Sequence, residues 1–123
     1  MSKYGNKKYI AFDRQFDSKR EGLRYCELKT LVMGGEISKL ECQKPFELTP
    51  TRYYGKECVR WCKYIADFYY YDKRRCEYVA EDVKGFCPAE YLVKKKVFLE
   101  KYVATGKLSF FENGNKKIFY EKK

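Results

Sequence analysis

The feature that most constrains the fold is a long run of β-branched and aromatic residues from Val59 to Tyr71. Such residues favour the pleated backbone of a sheet, so the run predicts one long strand. The charged segment 72–75 then predicts a turn, and residues 78–84 predict a strand that returns beside the first. We therefore expect a β-sheet built around this hairpin.

The hairpin brings acidic residues together. A turn centred between Arg74 and Arg75 places Asp67 opposite Asp82. Opposed Cβ atoms lie about 4.5 to 5.5 Å apart, close enough for two carboxylates to share one cation. Side chains alternate between the faces of a strand, so Lys84 shares a face with Asp82. These residues therefore form either a candidate metal-dependent site or a solvent-facing salt bridge on an edge hairpin.

Two helices are predicted beside the sheet. Ser18 and Glu21 fit a capping box, and the apolar spacing that follows predicts a helix over about 19–33, ended by Gly34 and Gly35. Pro88 predicts the start of a second helix that runs to about residue 103. The other predicted elements are an N-terminal hairpin (9–12 with 15–16), an extended segment (37–48), a loop (49–56) and two strands (108–111 and 117–120) around the turn Asn113-Gly114.

The composition is that of one domain. The chain has 123 residues, of which 45% are hydrophobic, with nine Phe and thirteen Tyr. A chain of this length can bury a core of its own. No repeat or linker divides it, so we expect a single domain over 1–123, with the hairpin and a basic tail over about 1–17.

The charge points to a polyanionic partner. The 27 basic and 17 acidic residues give a net charge of +10, and the resulting positive potential favours nucleic acid. The alternative is that the lysines only keep an aromatic-rich chain soluble. No apolar run approaches the about 20 residues of a membrane span, and the N-terminus lacks the apolar core of a signal peptide, so we expect a cytoplasmic protein. The six cysteines are expected to be free thiols rather than disulfides, because the cytosol is reducing and the chain can build its own core. Structural zinc is not expected, since the chain has no His and no Cys-x-x-Cys spacing.

At this point the sequence resembles a known family. Over roughly residues 10 to 100 it is similar to small phage-encoded endonuclease-like proteins of the restriction-endonuclease-like superfamily, the PD-(D/E)xK nucleases, which include Holliday-junction resolvases. The superfamily signature is Asp, then Asp or Glu, x, Lys. The segments that carry the resemblance are Phe16–Glu21, Glu27-Leu28, Gly35–Leu40, Gln43, Phe46–Leu48, Tyr64–Phe68 and Glu81–Phe86.

The resemblance implies a fold and a site. The fold would be a restriction-endonuclease-like α/β core, with a mixed central β-sheet flanked by two α-helices. Asp67 and Asp82 would be metal ligands, and Lys84 would position or help deprotonate the attacking water and stabilise charge on the phosphate. Glu21 would complete the acidic cluster, although the capping box already gives it a structural role. Mg2+ suits such an all-oxygen site, and Mn2+ would substitute for it.

The implied function is a metal-dependent DNA endonuclease. Branched DNA such as a Holliday junction is the expected substrate, in phage or prophage DNA processing in the bacterial host cytoplasm, and a homodimer would place two sites on one junction. Alternatives are a sequence- or mismatch-directed nicking endonuclease, or a non-catalytic DNA-binding protein on a decayed nuclease fold. Candidate phosphate contacts are Lys7 and Lys8 in the tail and Lys94, Lys95 and Lys96 in the second helix; candidate base-stacking groups are Tyr53-Tyr54 or Tyr69–Tyr71.

Overall fold

The computed structural model describes residues 9–12, 14–85 and 87–117. Nine strands, two α-helices and one π-helical turn make up this part of the chain. In chain order they are β1 (Tyr9–Ala11), β2 (Arg14–Phe16), α1 (Lys19–Met33), β3 (Ile37–Thr49), β4 (Arg52–Tyr54), β5 (Glu57–Val59), β6 (Cys62–Asp72), β7 (Glu77–Asp82), α2 (Ala89–Phe98), the π-helical turn (Leu99–Val103), β8 (Ser109–Glu112) and β9 (Asn115–Lys117).

The central sheet has five strands in the order β3-β6-β7-β8-β9. Only β7 and β8 are parallel neighbours; the other pairs are antiparallel. Parallel neighbours need a crossover connection, and α2 with its π-helical turn provides it. The predicted α/β class and mixed central sheet are therefore confirmed.

One helix covers each face of the sheet. Val79 packs in a cluster with Tyr25 and Leu28 of α1, whereas its neighbour Ala80 packs in a cluster with Phe98 of α2. Adjacent strand residues point to opposite faces, so α1 and α2 lie on opposite sides. The predicted flanking by two helices is confirmed.

The strand β6 changes its buried face in the middle. Tyr64 and Ala66 belong to the cluster beneath α2, but Phe68 and Tyr70 belong to the cluster beneath α1. Strict alternation would keep all four on one face. The change falls at Asp67, which is itself buried.

Some predicted bounds were wrong. Residues 49–56 are not a loop: β4 lies within them and pairs with β5, and Gly55 at φ 62° allows the tight turn between the two strands. The long strand begins at Cys62 rather than Val59, since the hydroxyls of Thr51 and Thr49 accept the amides of Trp61 and Cys62 where the chain enters β6.

The returning strand stops at Asp82 instead of Lys84, because the amides of Val83 and Lys84 bond to side chains rather than to a strand. The last strand begins at residue 115, and the predicted residues 118–120 lie outside the described residues. In the described part of the chain, no helix is both long enough and apolar enough to cross a membrane.

Candidate active site

The four predicted site residues lie together at the end of β7. Glu21 is in the first turn of α1, Asp67 is in β6, and Asp82 is the last residue of β7. The predicted hairpin register is confirmed: Phe68 pairs with Glu81, so the next facing positions are Asp67 and Asp82. There the ladder ends, and the amide of Asp67 donates to Asp82 Oδ1 at 3.0 Å.

Asp67 links the hairpin to Lys84. Its Oδ1 accepts a hydrogen bond from Lys84 Nζ at 3.2 Å, and its Oδ2 accepts one from the amide of Val83 at 2.8 Å. Asp67 is buried, while the side chain of Lys84 is partly exposed. This ion pair therefore lies at the boundary between the core and solvent.

Asp82 is the most deeply buried of the four, with 1% of its surface exposed. Burial raises the pKa of Asp82, although the amide of Asp67 and the hydroxyl of Tyr91 favour its charged form. The Tyr91 hydroxyl lies 2.7 Å from Asp82 Oδ2 and 3.0 Å from Glu112 Oε2. A hydroxyl carries a single proton, so these two carboxylates compete for it.

Glu21 lies where the helix cap meets the cluster. Its amide donates to Ser18 Oγ at 3.1 Å, which confirms the serine half of the predicted capping box. Its carboxylate is directed towards the sheet, where Oε1 accepts from Gln43 Nε2 at 3.1 Å. Burial, followed by repulsion from Asp67, raises the pKa of Glu21 to about 7, against the opposing effect of Lys84.

Lys84 is the cation of the cluster. Burial by itself would lower the pKa of Lys84, but Asp67 and Asp82 raise it above the ordinary lysine value. The ammonium group also lies 5.4 Å from the ring centroid of Tyr91. Lys84 is therefore protonated at neutral pH and suited to stabilise negative charge rather than to accept a proton.

The carboxylates fit a hard divalent cation in donor type. Glu21, Asp67 and Asp82 offer only oxygen, the ligand that Mg2+ prefers. A cation would favour the charged form of Glu21 against the burial and the repulsion from Asp67 that raise its pKa. No three His, Cys, Asp or Glu side chains in residues 9–12, 14–85 and 87–117 are arranged to hold a metal ion. The ammonium of Lys84 instead compensates Asp67.

Glu81 belongs to the other face of the sheet. Arg24 of α1 binds both of its oxygens, at 2.8 and 2.6 Å, and Tyr70 donates to the same carboxylate. Strand alternation predicted that Glu81 and Asp82 point to opposite faces. This pairing also takes Tyr70 out of the set of candidate base-stacking groups, since its ring is buried.

The candidate DNA-binding lysines have different surroundings. Lys94 pairs with Glu90 one helical turn away at 2.8 Å, and Lys96 is exposed. Lys95 is held at 2.8 Å by Glu112, with 17% of its side chain exposed. Lys7 and Lys8 lie outside the described residues.

The residues that support the site by hydrogen bonds to Asp82 and Glu21 were not predicted from the sequence. Tyr91, Glu112 and Lys95 form a chain of hydrogen bonds that ends on Asp82. Gln43, to which no chemistry was assigned, holds Glu21 and has a positive φ of 54°. Tyr91 and Lys95 are four residues apart and share a helix face, the one signal that could have suggested them.

Comparison with known proteins gives a family. A family model described as "Protein of unknown function (DUF1064)" matches residues 1–117. The chain belongs to this family. No curated protein and no solved structure matches it. The match to the family includes all four cluster residues and Tyr91, so the site described above lies within the region that defines the family.

Proposed function

We propose that this member of the family is a metal-dependent DNA endonuclease with a restriction-endonuclease-like core. The observation that carries the proposal is the meeting of Glu21, Asp67, Asp82 and Lys84 in one buried cluster. Glu21 comes from a helix, Asp67 from a strand and Asp82 from the end of the next strand, with Lys84 two residues beyond it. This is the order of the motif that the sequence resembles. Burying carboxylates costs free energy, and clusters of buried carboxylates beside a lysine are typical of functional sites.

Each residue would have a distinct role. Asp67, Asp82 and Glu21 would hold Mg2+, which when bound lowers the pKa of water and neutralises charge on the phosphate. Lys84, kept protonated by Asp67 and Asp82, would bind a nonbridging phosphate oxygen and stabilise its developing charge. Gln43 and Tyr91 would orient Glu21 and Asp82.

The charge of the molecule supports DNA as the substrate. A net charge of +10 favours binding of a polyanion. Branched DNA in phage or prophage processing is the proposed target, cut by a homodimer in the bacterial cytoplasm. These finer assignments rest on the resemblance of the sequence to junction-cleaving nucleases.

One experiment tests the activity and the substrate together. The purified protein is incubated with linear, mismatched, flapped, single-stranded and four-way-junction DNA in Mg2+, in Mn2+ and in EDTA. We expect cleavage with either metal, fastest on branched DNA, and none in EDTA. Preferred nicking of a linear or mismatched duplex would favour the nicking alternative, and failure to cut any substrate would overturn the proposal.

A second candidate is a non-catalytic DNA-binding protein on the same fold. The observation that favours it is the ion pair itself, because Lys84 already compensates Asp67 without any metal. Isothermal titration with Mg2+ or Mn2+, with and without DNA, separates the two candidates. Absence of metal binding in both titrations, together with tight DNA binding, would favour the non-catalytic protein.

A further inference from the structure

The β4–β5 hairpin projects from the sheet. Every residue from 51 to 61 is exposed, including Tyr53 at 73% and Tyr54 at 63%. Trp61, at the base of the hairpin, is also exposed. Several large exposed rings on one short element are typical of a surface used for binding.

The hairpin is built to hold its shape. Gly55 at φ 62° forms the turn, and Tyr53 pairs with Cys58 in the antiparallel ladder. The hydroxyl of Thr51 accepts a hydrogen bond from the amide of Trp61 at 3.0 Å, which closes the base of the hairpin. The hydroxyl of Thr49, at the end of β3, accepts one from the amide of Cys62, at the start of β6, at 3.2 Å, which holds together the two strands that the hairpin connects. The tyrosines are therefore presented from a defined scaffold.

Basic side chains accompany the exposed rings. Between residues 51 and 63, four basic groups stand against the single carboxylate of Glu57: Arg52, Lys56, Arg60 and Lys63. Lys63 Nζ lies 5.6 Å from the ring of Trp61. Within the described part of the chain, the other three basic groups form no ion pair. Aromatic faces interleaved with cations are the combination that binds single-stranded nucleic acid, because rings stack on bases and cations contact phosphates.

The hairpin leads directly into the candidate active site. Asp67 lies five positions beyond Cys62 in β6, about 16 Å at about 3.3 Å per residue. Tyr53 pairs with Cys58, four positions before Cys62, which adds at most about 13 Å. The span from the rings to Asp67 therefore corresponds to at most roughly nine base steps of DNA, at about 3.4 Å each. One nucleic acid molecule can therefore contact the hairpin and the acidic cluster together.

We propose that the β4–β5 hairpin binds unpaired bases of the nucleic acid, with Tyr53 on one of its faces and Tyr54 on the other stacking on bases on either side of it. The assignment of that nucleic acid as a DNA substrate rests on the proposed function. The hairpin would thereby direct the site to places where a duplex opens, such as a branch or a single-stranded tail.

The test uses wild-type protein and a Tyr53→Ala/Tyr54→Ala variant in EDTA, where cleavage cannot occur. Fluorescence anisotropy measures binding to a labelled duplex with a single-stranded tail and to a blunt duplex with the same number of phosphates. We expect the alanine variant to lose roughly tenfold or more in affinity for tailed DNA and to bind blunt duplex like the wild type. A Tyr53→Phe/Tyr54→Phe variant keeps the rings and should bind both probes normally.

Two results would overturn this inference: unchanged affinity of the alanine variant for tailed DNA, or an equal loss on both probes. Cleavage assays in Mg2+ separate it from the proposed function. If the wild type cuts no DNA but shows the ring-dependent preference for tailed DNA, the nuclease proposal fails and the hairpin assignment stands. If the wild type cuts DNA and the alanine variant binds tailed DNA normally, only the hairpin assignment fails.

Discussion

At the scale of single residues, Glu21 sets a pH dependence of stability. Its pKa rises from the ordinary glutamate value of 4.5 to about 7 on folding, so the folded state binds more protons between these values and stability falls as the pH rises through them. Between pH 5 and pH 8, the free energy of unfolding should fall by about 2 kcal/mol more in the wild type than in Glu21→Gln, which has no titrating group at this position. Urea unfolding of both proteins at pH 5 and pH 8, without divalent cations, measures it.

A bound metal ion should change this pH dependence of stability. Mg2+ favours the charged carboxylate, so it should raise the thermal unfolding midpoint of the wild type more at pH 8 than at pH 5. In the absence of metal, the free energy of unfolding could instead change equally with pH in the wild type and in Glu21→Gln. That result would contradict the placement of Glu21 in a buried cluster of like charges.

Tyr91 is the residue that should position Asp82. Its hydroxyl favours the charged form of that carboxylate, so Tyr91→Phe should weaken Mn2+ binding by roughly tenfold, as loss of a ligand's hydrogen-bond partner does. Tyr102→Phe is the matched control, since Tyr102 donates to the carbonyl of Glu47, outside the cluster. Isothermal titration measures both. Equal affinities in the two variants would remove Tyr91 from the site.

At the scale of elements, the sequence predicted correctly those helices and hairpins whose capping and turn residues lie within the element itself. Ser18 and Gly34 mark the ends of α1, and the turn after Asp72 fixed the register of β6 with β7. The hairpin β4–β5 was missed because its strands are short and exposed on all sides, so they carry no pattern of buried and exposed residues.

The cap of α1 offers a test at this scale. Ser18→Ala removes the acceptor for the amide of Glu21 and should lower the free energy of unfolding by about 1 kcal/mol. Ser18→Asp keeps an acceptor and should be nearly as stable as the wild type. Urea denaturation compares the three proteins. A Ser18→Asp variant as unstable as Ser18→Ala would show that the hydrogen bond to the cap is not the source of the loss.

The supports of the site could not be predicted from the sequence. Asp67, Asp82 and Lys84 lie on one hairpin, so counting along two strands was enough to bring them together. Glu21 came only from the resemblance to nucleases. Tyr91 and Glu112 reach Asp82 because α2 crosses back over the sheet to β8, and such a long-range contact leaves no local pattern.

At the scale of the whole molecule, the positive charge should appear in the salt dependence of DNA binding. Lys96 is exposed, so Lys96→Ala should reduce the slope of log affinity against log salt by about 0.9 if it contacts one phosphate. Lys95 is held by Glu112, so Lys95→Ala should change the slope less. Anisotropy titrations in EDTA over a range of salt concentrations measure both. The opposite ranking would place Lys95 at the DNA surface.

We propose that the Glu21–Asp67–Asp82–Lys84 cluster cuts DNA with a divalent metal. The most direct measurement is the single-turnover cleavage rate of a four-way junction in Mg2+, for the wild type and for Asp82→Asn, at protein concentrations that saturate binding. We expect cleavage by the wild type and a loss of at least about a hundredfold in Asp82→Asn, with DNA affinity retained. Cleavage by Asp82→Asn at the wild-type rate would show that the cluster is not the catalytic site.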